Sequence, residues 1–217
     1  MRLGGSIPKQ FQFLGGKPVL ARTLGVFNRA EIVKDIYVAA PANYVPHTHE
    51  IVDVYGIHKA RAVIAGGENR AASIYAVLKE MPPCEIVLIH DGVRPFTSEN
   101  LINAVAEAAR SQCAAIAGIP LTDTIKEVNE NGQVISTPNR NRLWRVQTPQ
   151  GFTYELIMGA YAQGERDGIL PIATDDSVLV ERLGIKVTMV EGDATNIKIT
   201  TLEDMAFGEM LLGGRNQ

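Results

Sequence analysis

Cysteine is scarce in this chain: among 217 residues there are two, Cys84 and Cys113, and they form neither a CxxC nor a zinc-ligand spacing. A chain of this length needs no disulfide staple, the cysteines offer no thiolate metal spacing, and reduced thiols fit a cytoplasmic protein. Long apolar runs are missing too. No stretch reaches the 18 residues of a membrane span and no signal-peptide pattern occurs, so the expectation is a cytoplasmic protein with no membrane partner. Positive charge is not in excess, since 21 Lys and Arg face 24 Asp and Glu for a net charge of −3. A nucleic-acid partner is thereby disfavoured. Repeats, low-complexity tracts and linkers are also absent, so residues 1–217 read as a single domain. With 46% hydrophobic and 21% charged residues, that domain has an ordinary globular composition and enough chain for its own core.

What is present is alternation. Apolar, β-branched runs recur at 36–40, 62–64, 86–89, 114–119 and 186–190, with helix-like stretches at 69–79, 98–111 and 153–164. Ser98 followed by Glu99 makes a sound N-cap and first turn. Strands alternating with helices indicate an α/β fold with a mostly parallel sheet, in which ligands bind beyond the carboxyl ends of the strands. One segment departs from this pattern. The runs 124–128 and 133–137 flank Asn131-Gly132, a strong turn signal, and predict a β-hairpin that continues into a strand-like run at 143–147. Such a hairpin is either a surface flap or an arm that embraces a second subunit.

The segment Glu85-Ile-Val-Leu-Ile-His-Asp-Gly-Val-Arg-Pro95 poses the functional question, because a run fit for a buried strand ends abruptly in charge. At a strand's carboxyl end Asp91 could hold Mg²⁺, and Arg94 could grip a phosphate. The alternative is a surface ion pair between the two, worth little. Arg2 and Lys9 bracket two glycines and could hold a polyphosphate, although a solvated basic terminus reads equally well. Gly66, Gly67 and Ser73 follow a short strand and open a helix, a placement suited to a nucleotide or simply to a turn. Lys198 interrupts a strand-like alternation, either facing solvent or aimed at a phosphate. Thr174, Asp175 and Asp176 read as a helix N-cap and as part of a pocket. His47 and His49 read as a solvated loop. The stretch 14–19 has two glycines and a lysine but not the spacing of a Walker loop.

Taken together and in order, Pro8-Lys-Gln-Phe11, Gly16-Lys-Pro18, Gly66-Gly-Glu-Asn-Arg70 with Ser73, His90-Asp-Gly-Val-Arg-Pro95, Asp123-Thr-Ile-Lys126, Asn139-Arg-Asn-Arg-Leu-Trp144, Gln147-Thr-Pro-Gln150, Thr174-Asp-Asp176 and Asn196-Ile-Lys-Ile-Thr200 resemble the 2-C-methyl-D-erythritol 4-phosphate cytidylyltransferase family. The resemblance spans nearly the whole chain. It implies a Rossmann-like three-layer nucleotidyltransferase domain with a protruding β-hairpin dimerisation arm at about 121–148. It also implies an enzyme of isoprenoid precursor synthesis that transfers CMP from CTP to the polyol phosphate and releases pyrophosphate, with Mg²⁺ or another divalent cation and without a covalent intermediate. By position, Arg2, Lys9 and Lys198 match the cations around the triphosphate, and Gly67, Glu68 and Ser73 match the cytidine-reading residues. Asp91 matches the metal-site carboxylate that also meets the nucleotide. Arg94, Thr124, Thr148 and Thr174 fall around the substrate, and Arg140 holds the place of an arginine that the arm delivers to a partner subunit in a homodimer.

Two departures accompany the resemblance. The family begins with a strand and a glycine loop, whereas Met1-Arg2 falls inside that loop, so about 20 further residues are expected before Met1. Gly92-Val93 stands where the family commonly has two alanines; ribitol 5-phosphate cytidylyltransferases often have valine there and form the alternative substrate reading. A non-catalytic nucleotide-binding protein is the alternative of another class.

Overall fold

The computed structural model describes residues 7–214. The expected first strand and glycine loop, like Arg2, lie outside the described residues. A short antiparallel pair, β1 (Phe13–Leu14) and β2 (Lys17–Pro18), leads into α1 (Val19–Arg29). There follow β3 (Ile36–Ala40), α2 (Val45–Val54), β4 (Ala60–Ala65), α3 (Arg70–Glu80), β5 (Ile86–Ile89), α4 (Glu99–Gln112) and β6 (Ala114–Pro120). A hairpin of β7 (Glu127–Val128) and β8 (Val134–Ser136) comes next, then β9 (Trp144–Thr153), α5 (Tyr154–Arg166), α6 (Ser177–Glu181), β10 (Thr188–Glu191) and α7 (Leu202–Gly214).

The expected helix starts are set by their caps. The side chain of Ser98 accepts the Leu101 N–H at 3.2 Å, and that of Asn69 accepts the Ala72 N–H at 2.9 Å. Against expectation, His47 and His49 lie on α2 rather than in a loop. Pro46 in the first turn of α2 occupies a position where a missing N–H costs nothing.

The main sheet has the order β10-β6-β9-β5, with β10 parallel to β6 and β9 antiparallel to both its neighbours. Three of its four strands thus run one way. β9 runs against them because it follows β6 through the hairpin excursion and not through a crossover helix, which a parallel neighbour requires. β3 and β4 form a separate parallel pair among the described residues. Helices tie the two pieces together: Ile36 of β3 and Leu88 of β5 pack on one cluster with Val26 and Phe27 of α1 and Ile102 of α4.

Alternation along β5 builds the three layers. Val87 and Ile89 face α3 and α5, joining Leu78, Phe152, Ile157 and Tyr161, while Leu88 faces α4 with Leu101 and Val105. Burying each such side chain contributes roughly 1.5–3 kcal/mol, and this sandwich is the platform on which the strand ends are held.

The strand-like run at 143–147 extends through Thr153. Its register slips opposite β6: Ile116 pairs with Gln150, but Gly118, two residues on, pairs with Val146. Four steps of β9 therefore oppose two of β6, and β9 bulges at Gln147–Pro149. Bulges commonly re-aim side chains beside active sites, and this one turns Thr148 toward the end of β5.

Candidate active site

The carboxyl end of β5, the bulge of β9, the start of α3 and the loop after β10 enclose a cavity of about 530 Å³. Asp91, Arg94, Thr148, Thr174 and Lys198 all line it, together with Arg70, Arg142, Trp144 and Gln147. Five residues expected at the site are thus brought together from separate stretches of the chain.

Asp91 is the centre of this arrangement. Its Oδ2 lies 2.9 Å from Lys198 Nζ and 3.6 Å from Arg94 Nε, and its Oδ1 accepts from Arg70 Nε at 3.2 Å. The Asp91 and Arg94 side chains are only 11% and 12% exposed, so the surface ion pair offered by the sequence is replaced by a buried cluster. Burial alone would raise the Asp91 carboxyl, but Lys198, Arg70 and Arg94 outweigh it and hold the group at about 2. The carboxylate is therefore ionised at any physiological pH.

The turn from Asp91 to Arg94 is clamped from below. Asp91 N–H donates to Thr148 Oγ1 at 3.1 Å; Thr148 Oγ1 is 3.1 Å from His90 Nδ1, and His90 Nε2 is 3.2 Å from the Arg94 carbonyl. A carbonyl only accepts, so Nε2 carries the proton and Nδ1 accepts from the threonine hydroxyl. Burial lowers the His90 pKa to about 4, against the opposing pull of the Arg94 carbonyl and Asp91, so the ring is neutral. Thr148, expected to touch substrate, thus also supports the turn. Arg94 donates from Nη1 to the Asn196 carbonyl at 2.7 Å, and its buried Nε, with no hydrogen bond among the described residues, faces the Asp91 carboxylate at 3.6 Å.

Lys198 does not sit in a strand. The stretch 196–200 is irregular, held by Asn196 Nδ2 donating to the Thr148 carbonyl at 2.9 Å and by Ile199 N–H donating to the Val93 carbonyl at 2.9 Å. Asn196 and Ile199 are fully buried, so these two anchors carry the half-exposed Lys198 into the cavity between them.

Gly67 N–H donates to Ser73 Oγ at 3.1 Å, closing the loop at the start of α3. A Cβ on Gly67 would fall 2.6 Å from that of Ala72, so only glycine allows this close approach. Gly67 and Glu68 are exposed beside the cavity but outside its lining, as is Ser73. Lys9 lies on a 3₁₀ turn at Lys9–Phe11 and is likewise not a lining residue. Thr124 and Arg140 are exposed on the hairpin segment; Arg140 Nη1 donates to the Thr122 carbonyl at 2.8 Å, and neither residue reaches this chain's own cavity.

The residues that sequence reasoning undervalued are Arg70 and Asp176. Arg70 grips Asp176 with two N–H groups at 3.0 and 2.7 Å, and Tyr161 donates to the same carboxylate at 2.5 Å. Of the three residues read as the cap, it is Asp175 whose side chain makes the bond, its Oδ1 accepting the Val178 N–H at 3.1 Å. Asp176 is completely buried. The available signal was an Asp following a good cap residue, with nothing local for it to do.

Among the described residues no group of three or more His, Cys, Asp or Glu could hold a metal by protein ligands alone. The donor set does fit a hard cation that takes one oxygen from Asp91 and the rest from phosphates and water, as Mg²⁺ commonly does.

A cavity at strand ends, with cations gathered around the ionised Asp91 carboxylate and a helix N-terminus at its flank, is the equipment of a nucleotidyltransferase. A family model described as 2-C-methyl-D-erythritol 4-phosphate cytidylyltransferase matches residues 1–214. The protein of that name from Geobacter metallireducens is 43% identical over 97% of this chain and 92% of its own length. Among solved structures, 4-diphosphocytidyl-2C-methyl-D-erythritol synthase from Anaerococcus prevotii has a TM-score of 0.87 at 33% identity, covering 97% of this chain and 92% of its own. The 2-C-methyl-D-erythritol 4-phosphate cytidylyltransferase of Thermus thermophilus has a TM-score of 0.80 at 36% identity, covering 94% and 93%. The chain belongs to the 2-C-methyl-D-erythritol 4-phosphate cytidylyltransferase family, and it is a CTP-dependent cytidylyltransferase.

Proposed function

We propose that the cavity at Asp91 is where a phosphate oxygen of 2-C-methyl-D-erythritol 4-phosphate attacks the α-phosphorus of CTP, giving the 4-diphosphocytidyl product and pyrophosphate. The observation that carries this reading is the convergence of Lys198, Arg94 and Arg70 on Asp91. In-line phosphoryl chemistry asks the protein chiefly for positioning and charge neutralisation, and these groups provide both. Lys198, with Lys9 and Arg2, neutralises charge that builds on the triphosphate. Arg94, Thr148 and Thr174 hold the polyol phosphate, and Gly67, Glu68 and Ser73 read the cytidine. Asp91 would hold Mg²⁺ or another divalent cation through a carboxylate oxygen, and the cation would supply charge neutralisation at the phosphates. No helix of the described residues is long and apolar enough to cross a membrane; both cysteines are free, and we assign the enzyme to the cytoplasm.

Pyrophosphate release with CTP and Mg²⁺, run beside methylerythritol 4-phosphate and ribitol 5-phosphate, tests the substrate. Release with the first and background with the second is the expected result; the reverse would move the enzyme to the ribitol class.

The hairpin supports a homodimer, because Val128, Val134 and Ile135 are 51%, 60% and 61% exposed on it, apolar surface suited to a second copy. In that dimer Arg140 and Thr124 serve the partner's cavity. Subunits carrying Arg140→Ala and Lys198→Ala, each inactive alone, should then regain about a quarter of wild-type activity when mixed, since half the pairs are mixed and each has one intact composite site. No recovery on mixing would place Arg140 in its own subunit's site or outside any.

A further inference from the structure

Arg70 stands between two carboxylates of different kinds. Asp176 is completely buried and receives Nη1 and Nη2 of Arg70 together with the Tyr161 hydroxyl. Asp91 lines the cavity and receives the remaining Nε–H. A planar guanidinium gripped at both terminal nitrogens has little rotational freedom left, so its third donor points where the first two dictate. The anchor is itself immobile: besides Tyr161, the buried Gln150 side chain accepts the N–H groups of Asp176 and Ser177, each at 3.2 Å. The two oxygens of Asp91 thus differ. Oδ1 is fixed by a side chain tied into the core, while Oδ2 lies 2.9 Å from Nζ of Lys198, whose side chain is 43% exposed, and 3.6 Å from Nε of Arg94.

We propose that Arg70 is a positioning residue, a strut that transmits the fixed location of Asp176 to Asp91 and so sets the direction in which the Asp91 carboxylate presents its second oxygen to the reacting phosphates. The inference rests on the reading of Asp91 as the carboxylate of the reaction. Outer partners that orient a ligating side chain typically matter by about 10–100-fold in affinity or rate. A neutral replacement of Arg70 alone would strand the buried Asp176 charge and endanger folding, so the strut is removed with Arg70→Gln and Asp176→Asn together, which leaves no unpaired charge.

The test is a cycle in the full-length protein. In the Asp91 background, the paired replacement should lower kcat by about 10–100-fold and raise the Mg²⁺ concentration giving half-maximal rate. In an Asp91→Asn background the same pair should cost no more than about twofold, because a residue acting through Asp91 has nothing left to act on. A loss of equal size in both backgrounds would overturn the proposal and show Arg70 touching substrate or serving the fold alone. A second readout needs no turnover: a crystal structure of the paired variant should show the Asp91 carboxylate turned from its wild-type direction, and an unmoved carboxylate would overturn the proposal too. If the wild-type protein released no pyrophosphate from CTP with either polyol phosphate, the functional reading would fall, and the direction of the Asp91 carboxylate in the paired variant would still decide whether the strut exists.

Discussion

Replacing Lys198 with alanine is expected to lower kcat for pyrophosphate release by about 10²–10³, the range seen when one preorganised donor to a developing anion is removed. Thermal stability should change little. Lys198 is 43% exposed and makes a single ion pair among the described residues, and Asp91 keeps Arg70 and Arg94 after its loss. Half-exposed pairs of this kind are worth about 0–1 kcal/mol. The neighbouring anchors, Asn196 and Ile199, are untouched by the change, so the loop retains its course. Measuring kcat and the melting temperature side by side separates the two roles. A variant that loses activity only in proportion to its unfolding would make Lys198 a structural residue and return the charge-neutralising task to the N-terminal cations.

Where sequence and structure agree, the signal was local. β5 runs over Ile86–Ile89 as its apolar run predicts, and α4 starts where Ser98 caps it. The hairpin forms about Asn131-Gly132, with the Gly132 N–H donating to the Asn129 carbonyl at 2.9 Å. Asp91 was legible because charge at the end of a buried strand has few structural uses. Apart from His47 and His49, whose helix was missed locally, the misreadings share a cause, since each concerned a residue whose role depends on a partner far away in the chain. β9 looked short because Pro149 and Gly151 resemble strand breakers, yet a bulge accommodates the first and the second packs tightly on α4, where a Cβ would lie 3.0 Å from both Ala109 and Val105. Lys198 sits in an apparent β alternation whose burial comes from loop anchors rather than from a sheet. Asp176 looked like a cap because its partner, Arg70, is 106 residues away.

That distant pair also governs the second large effect expected. Arg70→Ala should destabilise the protein by about 3–5 kcal/mol near neutral pH, the usual cost of removing one partner of a buried ion pair. The asymmetry of the pair decides which partner matters more. Arg70 is 35% exposed and could turn to water if Asp176 were lost, but Asp176 is 0% exposed and, among the described residues, has only the Tyr161 hydroxyl and Arg70 as side-chain donors to its carboxylate. Burial is the largest influence on the Asp176 carboxyl and raises it, with Arg70 opposing. Once Arg70 is gone that opposition disappears, so in the folded variant the group titrates further above its unfolded value of about 3.9. A raised folded pKa contributes stability below the unfolded value and loses it as pH rises through the folded value. The deficit of Arg70→Ala relative to wild type should therefore shrink toward pH 4 and widen toward pH 8 in urea unfolding. Adding Asp176→Asn should recover most of the loss at neutral pH and abolish its pH dependence, because the amide carries no charge to strand. A deficit that stays constant between pH 4 and pH 8 would mean that Arg70 stabilises the fold by packing its stem and not by meeting the Asp176 charge.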